Sequence, residues 1–189
     1  MVPPSSPLSF QTMKTIEYEP RLDIPGWMKE IELRWLFEQA THMKSIVEVG
    51  SWMGRSTHAL CSGCLGRVFA VDHFRGSPSE LNTNHHLAEL IDIYPRFQFY
   101  VGDLPNLNVL KLSSSNAVKC FIPASVDMVF LDGDHTINAI REDLRIWRPI
   151  PRKLLCGHDW DIISVRQAVQ ELNLPIELGP MLLWAIRLE

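Results

Sequence analysis

This 189-residue sequence predicts a doubly wound α/β domain, with an open and mostly parallel sheet covered on both faces. Three observations carry that prediction. Short apolar runs alternate along the chain with stretches of helical periodicity. One of the runs, VDMVFLDGD, lacks the apolar/polar alternation of a half-exposed strand, as expected when both faces are buried. A strand, a glycine turn and a helix start follow one another in SIVEV-GSWMG-RSTHAL. The length suits one domain with a full sheet core, and no internal repeat or linker divides it.

Each element can be justified in order. PGWMKEIELRWLFEQATH places Trp27, Ile31, Leu33, Leu36, Phe37 and Ala40 near helical spacing, with Pro25 close to the start. SIVEV is the first strand, RSTHALCSG a short helix stopping at Gly63, and RVFAVD a second strand ending at Asp72. SELNTNHHLAELIDIY reads as a helix closed by Pro95, and FQFYVGD as the third strand. After the polar stretch LKLSSSNAVK comes VDMVFLDGD, the fourth strand; TINAIREDLRIW is the next helix, ended by RPIP. KLLCGHDW is the fifth strand, SVRQAVQELN a helix, and IELGPMLLWAIRLE a closing hairpin turning at Gly179-Pro180. Trp147 and Trp184 are expected in the core. The Pro/Ser-rich beginning marks residues 1–24 as a tail or lid, leaving 25–189 as the domain.

Composition narrows the function classes. A net charge of -4 gives no electrostatic footprint for nucleic acid. The most basic run, REDLRIWRPIPRK, is interrupted by Glu142 and Asp143 and reads as the wet face of a helix. No run approaches the roughly 20 apolar residues of a membrane span. MVPPSSPLSF lacks the basic and apolar regions of a signal peptide, so a cytoplasmic location is expected. Cys61 and Cys64 spell CxxC, but Cys120 and Cys156 stand alone, which suits reduced thiols better than a zinc site.

The distinctive polar residues, Glu48, Asp72, Asp103, Asp132 and Asp159, fall at predicted strand ends, where sheets of this kind bind ligands. The loop after the first strand is GxxxG, Gly50 to Gly54, and not the GxGxxG of a dinucleotide site. Arg55 stands where a P-loop would carry lysine, without the first glycine at the required distance. Glu48 suits a ligand carrying an ammonium or sulfonium better than a phosphate. Asp72 can accept from two ribose hydroxyls, and Asp103 can take an adenine amino group. Together they describe S-adenosylmethionine, with Ser51, Trp52, Ser56, Thr57, His73 and Asp132 completing the expected cofactor surface. Trp52 either lines that surface or plugs it.

EVGSWMGRST, VFAVDHF, VGD and VFLDGDH together resemble the successive motifs of the class I S-adenosylmethionine-dependent methyltransferases, across about residues 25–189. FLDGDHT followed by LLCGHDW is similar to the small-molecule branch that includes antibiotic and sugar O-methyltransferases. The resemblance implies a Rossmann-like seven-stranded sheet ordered 3-2-1-4-5-7-6 with the last strand antiparallel, and O-methylation of a hydroxylated small molecule. It also implies a divalent cation, magnesium or a softer metal, that grips the acceptor oxygen and lowers its pKa. Asp132 and Asp159 match the family's carboxylate ligands by motif position. His158 departs from them, since many metal-using relatives place an acid there and imidazole suits zinc, iron or nickel better than magnesium.

Three readings stay open: a softer metal, a His158 that is not a ligand, or no metal with His135 or His158 as the base. Asp134 is expected to cap the following helix. RPIPRK replaces the glycine pair that relatives often carry before the fifth strand. A substrate lid would come from the tail, from residues 76–90 with His85 and His86, or from the partner in a homodimer. The competing functions are an accessory protein that binds S-adenosylmethionine without catalysis, and a nicotinamide dinucleotide-binding protein.

Overall fold

In the computed structural model, which describes residues 17–77, 88 and 91–188, seven strands form one sheet. They are β1 (Ser45–Val49), β2 (Arg67–Val71), β3 (Leu107–Leu110), β4 (Val126–Leu131), β5 (Pro151–Gly157), β6 (Glu177–Leu178) and β7 (Trp184–Arg187). Their spatial order is β3-β2-β1-β4-β5-β7-β6, as the family resemblance implied. β1 pairs in parallel with β2 and β4, β2 with β3, and β4 with β5, whereas β7 runs antiparallel to β5 and β6. The chain moves outward from β1 to β3 and then returns to β4 on the other side of β1. That reversal opens a crevice at the carboxyl ends of β1 and β4.

The helices are α1 (Glu30–Ala40), α2 (Arg55–Gly63), α3 (Tyr94–Val101), the short α4 (Ser114–Ala117), α5 (Ile137–Trp147) and α6 (Ile163–Gln170). All six residues of β4 are buried because successive side chains serve opposite cores. Met128 and Phe130 pack with Leu33, Leu36 and Leu60 of α1 and α2. Val129 and Leu131 pack with Leu144, Trp147, Val165 and Trp184 on the other face. The missing alternation in the sequence has this cause.

The third strand is a correction. Residues 97–101 of FQFYVGD belong to α3, and β3 is LNVL further on. Phe97 and Val101 are buried while Phe99 is 82% exposed; a strand would have put all three on one face. Pro95 sits in the first turn of α3, where its missing N–H leaves no bond unmade, so it opens a helix instead of closing one. Most of the helix expected over 79–94, with His85 and His86, lies outside the described residues.

α1 is also shorter than its apolar spacing suggested, because Glu32 Oε2 accepts the Lys29 N–H at 2.8 Å and fixes the start there. The stretch from Pro25 to Met28 is left as loop. Ahead of α1, Tyr18 and Ile24 are buried, and Tyr18 stacks on Phe37 at 4.5 Å. All four cysteines are free thiols, Cys120 exposed and the others buried. Among the described residues no helix is long and apolar enough to cross a membrane.

Gly50 holds the crevice together. Its φ is +88°, and a Cβ there would lie 2.1 Å from the Asp132 carbonyl oxygen. A side chain would have to part the ends of β1 and β4. Gly50→Ala is expected to cost about 2–4 kcal/mol, combining left-handed strain with overpacking. Urea unfolding measures it, and a loss under about 1 kcal/mol would show that these strand ends do not meet so closely.

Candidate active site

A cleft of about 870 Å³ lies over the carboxyl ends of β1, β2, β4 and β5. Gly50, Ser51, Trp52, Ser56, Asp72, His73 and Asp132 line it, as do His135, His158 and Asp159. Asp72 builds the glycine loop. One carboxylate oxygen accepts the N–H groups of Ser51 and Trp52, each at 2.9 Å, and the other accepts Phe74 N–H at 2.6 Å. The loop thus closes on the strand-end acid, and Gly54, at φ +95°, starts α2 where a Cβ would meet Val101 at 2.7 Å.

Three expected cofactor residues lie elsewhere. Asp103 is exposed in the turn between α3 and β3, at the amino end of the sheet, because the third strand begins after it. Glu48 and Thr57 lie beneath the loop, both fully buried, with Thr57 Oγ1 donating to Glu48 Oε2 at 2.5 Å. Glu48 therefore does not face the cleft. Burial raises its carboxyl from 4.5 to about 7, and the hydroxyls of Ser56 and Thr57 hold it from rising further.

Arg55, placed where a P-loop lysine would be, lines the cleft but commits its guanidinium to the backbone. Its guanidinium donates to the carbonyls of Ile24, Met28 and Leu22 at 2.5, 2.9 and 3.0 Å. This clamp seats the stretch from Leu22 to Met28 against the loop and makes Pro25 to Met28 a wall of the cleft. At that wall the rings of Trp27 and Trp52 approach to 5.3 Å.

Ser113 and Ser114, after the true β3, line the cleft where Asp103 was expected. Ser114 donates to Asp143 and accepts Trp147 Nε1–H, and burial raises the Asp143 carboxyl to about 6. The sequence signal for this corner was the serine run itself. Asp134 accepts the Thr136 N–H at 2.8 Å, which makes a tight turn just ahead of α5.

The acids of β4 and β5 converge. Ligand atoms of Asp132, His158 and Asp159 all lie within 4.8 Å of one another. Asp159 Oδ2 is 2.7 Å from His135 Nε2 and 3.2 Å from His158 Nδ1, and Asp132 Oδ1 is 3.7 Å from the latter. Asp159 adopts φ 60°, a left-handed conformation that Asp tolerates better than most residues. Against the burial that would raise it, hydrogen bonds from the two histidines hold the Asp159 carboxyl well below the usual carboxylate range. Burial pushes the Asp132 carboxyl up. His158 rises to about 10, because Asp159 and Glu32 outweigh the burial that favours its neutral form.

Glu32, which sequence reasoning passed over, completes the cluster from α1: its Oε1 lies 2.9 Å from His158 Nε2. Its signal was an acid at the i+4 position between Met28 and Leu36, on the buried stripe of the helix.

Glu48 carries a testable pH dependence. Below about pH 4.5 it is protonated in both folded and unfolded chains, and burial carries no ionic penalty. Between 4.5 and about 7 only the unfolded chain loses the proton, so this contribution to stability falls as pH rises, by on the order of 3 kcal/mol. Glu48→Gln is expected to remove that fall, gaining on the wild type across this window in urea unfolding at several pH values. A constant difference between the two proteins would show that Glu48 ionises normally.

Comparison with known proteins agrees with the fold. A protein from Corynebacterium glutamicum shares 12% identity over 87% of this chain and 83% of its own, with a TM-score of 0.62. A methyltransferase from Podospora anserina bound to SAH (S-adenosylhomocysteine) gives 12%, 86%, 80% and 0.61 in the same order. An O-methyltransferase from Bacillus cereus in complex with SAH gives 15%, 87%, 84% and 0.54. At these identities the likeness is one of fold. No curated protein matches the chain by sequence. A family model described as a methyltransferase domain matches residues 47–160, from within β1 to just past the His158-Asp159 pair. The chain belongs to the methyltransferase-domain family.

Proposed function

We propose that this methyltransferase transfers the methyl group of S-adenosylmethionine to a hydroxyl oxygen of a small molecule, assisted by a divalent cation held by Asp132, Asp159 and His158. The convergence of these three side chains within 4.8 Å, beside the glycine loop, is the observation that carries the reading. Two carboxylates and an imidazole form a fitting donor set for such an ion. When bound, S-adenosylmethionine supplies an electrophilic methyl on a sulfonium, and the cation would lower the pKa of the acceptor hydroxyl.

The chain's own groups position the reaction and move the proton. Asp159, held ionised, puts negative charge at this end of the cleft, which favours both positive centres. His135 Nε2 lies 2.7 Å from Asp159 Oδ2, a contact that turns the imidazole toward the acid cluster and makes it the base for the acceptor's proton. Trp27 and Trp52 on one side, and Ile162, Met181 and Leu182 on the other, give the cleft apolar walls that exclude water and orient a small acceptor. About 870 Å³ must hold cofactor and acceptor together, and a net charge of -4 disfavours a nucleic acid acceptor. SAH in two of the similar structures supports the cofactor over a nicotinamide dinucleotide.

Calorimetric titration with S-adenosylhomocysteine and with NAD tests the cofactor; binding of NAD alone would overturn it. Transfer of labelled methyl groups to a panel of sugars, phenols and polyketides tests catalysis against a purely accessory role. In that assay Asp159→Ala is expected to abolish transfer while S-adenosylhomocysteine still binds, and His135→Ala to slow it about 10²–10⁴-fold. Activity that survives exhaustive EDTA treatment removes the cation from the mechanism.

A further inference from the structure

His158 is held from behind by a residue outside the span matched to the family. Glu32 comes from α1, before residue 47, and is only 1% exposed. Its Oε1 lies 2.9 Å from His158 Nε2 and also accepts Leu182 N–H, from the turn before β7, at 3.1 Å. Its Oε2 accepts Lys29 N–H at 2.8 Å. Two backbone amides from separate parts of the chain therefore fix this carboxylate before the histidine meets it.

The imidazole is restrained at its backbone as well. His158 N–H donates to the Leu131 carbonyl at 3.2 Å, and its own carbonyl accepts Trp184 Nε1–H at 3.1 Å. With the backbone fixed, the remaining freedom is rotation of the ring. A carboxylate accepting from Nε2–H removes that freedom and decides which nitrogen faces the acids: Nδ1, 3.2 Å from Asp159 and 3.7 Å from Asp132. A carboxylate behind a histidine also makes its free nitrogen a stronger donor toward a cation.

We propose that Glu32 is the positioning residue that commits His158 to a nitrogen ligand through Nδ1, so that the centre selects a borderline divalent cation such as zinc, iron(II), cobalt(II) or nickel over magnesium. This rests on the metal-assisted reading above and adds to it the class of metal and the residue that sets it. Magnesium prefers an all-oxygen shell and gives up its waters reluctantly, so an imidazole at this position disfavours it. The borderline ions accept imidazole and carboxylate together.

Cobalt(II) titration, followed through its visible absorption bands, tests the proposal on the metal-free full-length protein. Wild type is expected to bind one cobalt ion that excess magnesium does not displace. Glu32→Gln keeps the side chain's shape but loses its charge, and Glu32→Ala removes the support. The two are expected to weaken cobalt binding by about 10- to 100-fold, Ala more than Gln, with S-adenosylhomocysteine affinity unchanged. Nitrogen-detected NMR of the histidine rings gives a readout without metal, in which the hydrogen-bonded His158 Nε2 proton is lost in Glu32→Ala. If folded Glu32→Gln and Glu32→Ala proteins bind cobalt as the wild type does, Glu32 has no positioning role. Displacement of cobalt by equimolar magnesium overturns the metal class. A wild type that binds S-adenosylhomocysteine but no cobalt overturns the metal-assisted reading, and this inference with it, while leaving the cofactor assignment standing.

Discussion

Where β1 leaves the sheet, its backbone passes so close to the end of β4 that only glycine fits between them. Asp132 N–H donates to the Val49 carbonyl at 2.8 Å, and Gly50 N–H donates to the Val71 carbonyl at 2.9 Å. Three strand ends are thereby joined at one level, and the polar groups of the site radiate from that junction. Asp72 reaches back from β2 to close the glycine loop. Asp132 reaches the other way, toward the histidines on the β5 side. The distance between the cofactor loop and the acid cluster is set by backbone contact, which is far stiffer than any pairing of side chains.

Around that junction the fold gives four acids three different characters. Asp159 and Glu32 are held ionised by imidazoles and amide donors that outweigh their burial. Asp132 is pushed toward its neutral form by burial and by its charged neighbour Asp159. Glu48, with no cation beside it, is pushed up by burial and kept in place by Thr57 and its neighbours. Separating the ionisation of adjacent carboxyls in this way lets one end of a sheet hold a concentrated negative site without every acid repelling every other.

Much of the fold was legible because strand burial leaves a plain mark. β4 is apolar throughout, and the strand-loop-helix at Gly50 has a composition that few other structures need. The third strand was misread because Phe97, Phe99 and Val101 fit a period of two, while Phe97 and Val101 alone fit the i, i+4 spacing of a helix; the exposure of Phe99 separates the two periods. Asp103 was misplaced by the same slip. Glu48 was visible as a strand-end acid, but whether such an acid points into the cleft or under the loop depends on which face of the strand is covered. Glu32 could not be paired with His158 from sequence, since 126 residues separate them and the bond exists only once α1 has packed.

The clamp made by Arg55 has a consequence for how this protein could diversify. It grips three backbone carbonyls of the Leu22 to Met28 stretch and no side chain there. Those bonds place no demand on the side chains there, although Ile24 and Met28 are buried and held by their own packing. Trp27, on the cleft wall and 48% exposed, can be exchanged without loosening that attachment. Scaffold and cleft wall are separable at that position, so the shape of the cleft can change through replacement of Trp27 while the backbone that carries it stays in place.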